Sequence, residues 1–230
     1  MTYQRIWEID FVRGIAIILM IIFHFIVDLK DFYSYPLDYL NGFWYLEGKL
    51  SAILFILLCG VSATLGKNSI KHGITIFIWA MVLTVITYLY NENNYIRFGI
   101  LHFLGISLLS VHFIRQLPSY WLMILSLAIL VIGNTIFNQY ITNPYLFPIG
   151  LKSYTFVSMD YYPLFPWYGV FLVGIMFGQV FYGNKRSFSA SQLCSFPPFK
   201  LITYLGKHSL PIYLVHQPIL LFFLYLFLGK

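Results

Sequence analysis

The sequence predicts an all-α, polytopic transmembrane bundle of about seven spanning helices, and three observations carry that prediction. Hydrophobic residues fill 60% of the 230 positions and charged residues only 10%, far below the roughly 25% charged of an ordinary soluble domain. The apolar residues fall in long runs, and about 20 such residues cross a bilayer as one helix. The 23 Phe, 19 Tyr and 5 Trp are enough to furnish aromatic belts at both membrane interfaces.

Taken in order, the first run covers 10–29. It follows a short charged stretch, as a signal peptide would, but no small-residue cleavage site follows Asp28, so it is expected to stay as a helix. Runs at 50–66 and 98–114 are short and carry Gly60 and Gly105, which let helix backbones approach closely. Runs at 73–90 and 119–137 are plainly apolar. The run at 163–182 is entered through Pro163 and Pro166, and the run at 208–229 contains Pro218, which removes a helical hydrogen bond to Leu214. Together they form one domain, 1–230, with no room for a separate soluble domain. Loops 30–48 and 138–162, rich in Tyr, Asn and Pro, are long enough to fold over a cavity mouth.

Charge sets the topology. With the N-terminus in the cytoplasm, Arg5, Arg13, Lys67, Lys71, Arg115, Lys185, Arg186, Lys200 and Lys207 lie inside, against Lys30, Lys49, Arg97, Lys152 and Lys230 outside. The inside excess obeys the positive-inside rule, and an odd number of spans puts the C-terminus outside the cytoplasm. The expected location is the cell membrane, as a multi-pass protein. The net charge of +6 is scattered rather than clustered, which argues against nucleic acid as a partner. Cys59 and Cys194 fall in different settings, so neither a disulfide nor a metal cluster is expected.

Ionisable side chains inside spanning helices are costly, which makes each a functional candidate. At about 100° per residue, Asp10, Arg13, His24 and Asp28 share one stripe of the first helix roughly 60° wide. Arg13 lies about 16 Å from His24 along the axis, near the cytoplasmic end. His102 enters its helix from the outer side, just after Arg97, at a depth similar to that of His24. Asp160 and Trp167 flank a proline-rich entry, and His216 and Gln217 adjoin Pro218. A structural reading competes at each place: Arg13 pairing with Asp10 at the interface, Asp160 capping a helix, Trp167 in an aromatic belt, His216 beside a satisfied kink.

Five stretches, in order, resemble a known family: Ile9-Asp10-Phe11-Val12-Arg13-Gly14-Ile15-Ala16; Phe55-Ile56-Leu57-Leu58-Cys59-Gly60-Val61-Ser62; Arg97-Phe98-Gly99-Ile100-Leu101-His102; Asp160 through Trp167 with Gly169-Val170-Phe171; and Leu205-Gly206-Lys207-His208-Ser209-Leu210 with Leu214-Val215-His216-Gln217-Pro218. The likeness is to the heparan-α-glucosaminide N-acetyltransferase catalytic-domain family, within the broader integral-membrane acyltransferases. Arg13 and His24 also reproduce the Arg, ten residues, His pattern of the acyltransferase-3 branch. The resemblance implies transfer of an acetyl or related acyl group from cytoplasmic acyl-CoA to an extracytoplasmic acceptor, a sugar amine or hydroxyl of an envelope glycan or glycolipid. On this reading His24, Asp28 and Asp160 are catalytic, with Asp28 orienting His24. Arg13, Arg115 and Lys207 bind the CoA, Arg97, His102, Trp167, His216 and Gln217 contact substrate, and no metal takes part. The lysosomal branch carries its catalytic His in the first outer loop; loop 30–48 has none, so the role falls to His24 through the acyltransferase-3 pattern. A homo-oligomer is compatible with the pattern. The competing readings are a proton-coupled transporter and a non-catalytic membrane subunit.

Overall fold

The computed structural model describes residues 6–135, 140–183, 187 and 197–229. Arg5, Lys185, Arg186, Cys194 and Lys230, which entered the topology and disulfide expectations, lie outside the described residues. The described chain is helical: α1 (Trp7–Tyr33), α2 (Gly42–Leu65), α3 (Ser69–Tyr90), α4 (Ile100–Ile114), α5 (Ser119–Thr135), α6 (Leu164–Tyr182), α7 (Pro197–Lys207) and α8 (Ser209–Leu228), with a single 3-10 turn at Phe147–Ile149. Five of these helices, α1, α2, α3, α6 and α8, are long and apolar enough to cross a membrane, and α4 and α5 are shorter apolar helices. Five spanning candidates with two shorter companions match the expected bundle of about seven.

The outer surfaces show why water is not the solvent. Along α3, Ile74, Ile78, Val82, Val85 and Leu89 are exposed at intervals of three or four residues, and along α8 Phe222, Phe223, Leu226 and Phe227 are exposed. Such continuous apolar stripes on a soluble protein would exceed the patches monomers tolerate; facing acyl chains they carry no penalty.

The helices gather into two compact units, residues 1–58 with 185–230, and residues 59–184. In the first, α1 packs on α7 and α8. The α1–α7 contact is backbone on backbone. A side chain at Gly14 would strike the Ile202 carbonyl oxygen, and one at Gly206 the Asp10 carbonyl oxygen. Ser51 of α2 donates to the Ala16 carbonyl at 3.1 Å and ties α2 to α1. In the second unit α3 pairs with α4 and α5 with α6. Gly60 and Gly105 play the expected packing part: a Cβ on Gly60 would lie 2.9 Å from the Ile175 nitrogen, and one on Gly105 2.9 Å from the Phe77 Cβ.

Two boundaries and one helix differ from expectation. The first helix continues to Tyr33 and ends at Ser34, whose φ of 58° is left-handed. Helix α2 begins at Gly42 rather than near 50, so the loop between them is only 34–41. It folds back on α1 through Tyr39, which donates to both Asp31 carboxylate oxygens at 3.1 and 3.0 Å. Helix α7 was not anticipated, because its alternation of apolar and polar residues never builds a run long enough to read as a span.

Candidate active site

In the first unit, α1 and α8 bring His24, Asp28, His216 and Gln217 together. The rings of His24 and His216 lie edge to face, with centroids 4.7 Å apart. Gln217 Nε2 donates to Asp28 Oδ1 at 2.6 Å, across 189 residues of sequence. Asp28 is 1% exposed and His216 8%. Pro218 in α8 follows directly after this pair, where its ring leaves the Leu214 carbonyl without its helical donor.

The hydrogen bonds of the two imidazoles decide what they can do. His24 Nδ1 is 2.8 Å from the Met20 carbonyl, and His216 Nδ1 is 2.6 Å from the Tyr213 carbonyl. A carbonyl oxygen only accepts, so each Nδ1 carries the proton and each Nε2 of a neutral ring holds a lone pair. His216 Nε2, Asp28 Oδ2 and Gln217 Oε1 are buried with no hydrogen-bond partner. Leaving a buried acceptor unmade costs about 1–3 kcal/mol. Three on two facing helix segments mark a place that suits a donor-bearing ligand. Asp28 is expected to orient His24 and stabilise its imidazolium; the hydrogen bonds seen are from His24 Nδ1 to the Met20 carbonyl and from Gln217 to the Asp28 carboxylate.

A further carboxylate in this unit escaped the sequence reading. Glu47 is 8% exposed, and neither of its oxygens has a partner. Its neighbour Gly48 abuts the Phe23 ring, which in turn lies 5.8 Å from the His24 ring. The available signal was that Glu47 is the sole acid of α2; starting that helix at 50 placed it in a loop instead. At the other end of α1, Arg13 is paired with Asp10 at 3.1 Å. Lys207 is exposed in the last turn of α7.

The second unit holds the remaining residues. His102 contrasts with His24. Its Nδ1 accepts from the Gly99 N–H at 3.2 Å, so Nε2 carries the proton and donates to Thr84 Oγ1 at 3.2 Å. Thr84 passes the chain on to the Ile96 carbonyl at 2.8 Å. Both nitrogens of His102 are therefore spent on the α3–α4 junction. Asp160 Oδ2 accepts from the Ile100 N–H at 2.9 Å, capping the first turn of α4. Burial pushes its carboxyl up to about 6, against the pull of hydrogen bonds from Ile100 and Tyr161. Burial and the nearby Asp160 charge also raise the Tyr162 phenol. Arg97 stacks over Tyr95 and Phe156, with its guanidinium carbon 4.9 and 5.5 Å from the ring centroids. Trp167 lies against Tyr162, centroids 5.0 Å apart. Arg115 lines a cleft of about 580 Å3 with Lys67, Lys71, His112 and the first turn of α3. Among the described residues, no three His, Cys, Asp or Glu side chains converge as a metal would require.

Comparison with curated proteins and with solved structures gives no match. The family model described as heparan-alpha-glucosaminide N-acetyltransferase, catalytic, matches residues 5–218. That span covers nearly the whole chain and every residue of the α1–α8 cluster, and this membrane protein therefore belongs to the heparan-α-glucosaminide N-acetyltransferase catalytic-domain family.

Proposed function

We propose that this protein transfers an acetyl or related acyl group from cytoplasmic acyl-CoA to an amine or hydroxyl of an extracytoplasmic glycan or glycolipid, working in the cell membrane with its N-terminus in the cytoplasm. Membership of an acetyltransferase family supports the reaction class. The observation that carries the assignment of site is the His24 imidazole, whose Nδ1–H is tied to the Met20 carbonyl so that Nε2 faces its surroundings as a base. One turn further along α1, Asp28 is a buried carboxylate suited to stabilise positive charge on the imidazole.

The cations divide by place. Arg115, with Lys67 and Lys71 around its cleft, suits the phosphates of CoA, and Arg13 and Lys207 are cations of the kind that bind such phosphates. Arg97, Trp167 and the aromatic side chains near them suit an acceptor sugar, whose ring faces stack on aromatic groups. His102 and Asp160 act as positioning residues at the head of α4, since their polar atoms already hold that helix end in place.

Acetyl transfer from labelled acetyl-CoA in detergent, with glucosamine as probe acceptor, tests the proposal. His24→Ala and His24→Gln should each lower turnover by about 100-fold or more, the usual scale of a general base, while melting like the wild type. Folded variants retaining more than about a tenth of wild-type turnover would remove His24 from the chemistry.

A further inference from the structure

We propose that His216 is a second reacting imidazole, sharing with His24 the proton released during transfer, rather than a side chain that only contacts substrate. The inference rests on the acyl-transfer reading and adds a residue to its chemistry. Both rings spend Nδ1 on a carbonyl of their own helix and present Nε2 with a lone pair. Two lone pairs cannot hydrogen-bond to each other. One added proton changes that, because the N–H of a protonated ring can donate to the bare nitrogen of its neighbour. The centroid spacing of 4.7 Å makes the rings immediate neighbours, and His216 Nε2 is buried without any partner. An imidazole kept only for structure is expected to be satisfied at both nitrogens, as His102 is. The residue after His216, Gln217, grips Asp28, which sets a buried carboxylate beside the pair as counter-charge for the shared proton.

The step balances without any further reagent. The acceptor nitrogen or oxygen forms a bond to the thioester carbonyl carbon as the carbon–sulfur bond breaks. The acceptor's proton passes to Nε2 of one imidazole, is shared with the other, and ends on the departing CoA sulfur. Both rings finish neutral.

The test compares wild type, His24→Ala, His216→Ala, His216→Gln and the double Ala variant in detergent, with saturating acetyl-CoA and glucosamine. It reads acetylated product, CoA thiol released and thermal melting. His216→Gln keeps a hydrogen-bonding side chain of similar reach and guards against misfolding. The expected result is a kcat lowered by about 100-fold or more in both His216 variants, with KM for both substrates within about twofold of wild type. Added free imidazole should restore part of the activity of His216→Ala and none of that of His216→Gln. The double variant should be no slower than the slower single one, since groups acting as a unit are strongly non-additive. A folded His216→Gln that keeps its kcat and raises only the acceptor KM overturns the inference, as do losses that multiply in the double variant. A wild type that releases no CoA thiol overturns the acyl-transfer reading itself and the inference with it.

Discussion

Three intramembrane histidines differ in what their second nitrogen does, and that difference separates positioning from chemistry. His102 is closed at both nitrogens, while His24 and His216 are tied at Nδ1 and leave Nε2 for another task. Asp160 belongs with His102. Its carboxyl ionises near 6 rather than at 3.8 because burial disfavours the charge. A raised acid makes the folded state bind more protons than the unfolded chain between those values, so this group's stabilisation is fullest below about pH 4 and is lost as pH rises toward 6. Asp160→Asn keeps an acceptor for the Ile100 N–H and removes the charge. Its melting temperature should therefore vary less than wild type between pH 4 and 6, and equal or exceed it at pH 7.5. The free-energy difference is a few kcal/mol at most. A parallel pair of melting curves across that range would refute the account of Asp160. Arg13 gives a second check at this scale. Arg13→Ala should raise the KM for acetyl-CoA several-fold with little change in kcat. It should also lower stability by roughly 1–3 kcal/mol, because it strips the ion pair from a buried Asp10. Unchanged acetyl-CoA affinity would end its assignment to the donor. The alignment of Asp10, Arg13, His24 and Asp28 was legible from helical periodicity alone. The grip of Gln217 on Asp28 was not, because a contact across 189 residues leaves no local signal.

At the scale of elements, the α1–α7 crossing is the tightest statement the fold makes. Gly14 and Gly206 let the two backbones touch, and neither site has room for a Cβ. Gly14→Val or Gly206→Val should each destabilise by about 3 kcal/mol or more, beyond ordinary overpacking of side chains, since backbone rather than a flexible side chain must move. Melting in detergent measures this, and a variant within about 0.5 kcal/mol of wild type would contradict the packing. The sequence placed the long apolar helices because lipid-facing residues need no pattern beyond continuous hydrophobicity. It missed α7 because an amphipathic helix of 11 residues opened by Pro197 and Pro198 shows no such continuity. The early start of α2 was hidden for a related reason: Glu47 and Lys49 made its first turns resemble a loop.

For the whole molecule, the proposed transfer requires the donor on one side of the bilayer and the acceptor on the other. A reporter fused after Lys230 should appear outside the cytoplasm, and one inserted near Lys185 inside, by the distribution of lysine and arginine. Reporters on the same side would contradict seven spans. The most direct measurement places purified protein in sealed vesicles with labelled acetyl-CoA on one side only and glucosamine trapped on the other. Labelled N- or O-acetylglucosamine should collect in the glucosamine compartment and CoA thiol in the donor compartment, and neither should form with His24→Ala. Movement of glucosamine across the bilayer without acetylation, or acetylation that persists undiminished in a folded His24→Ala protein, would contradict it.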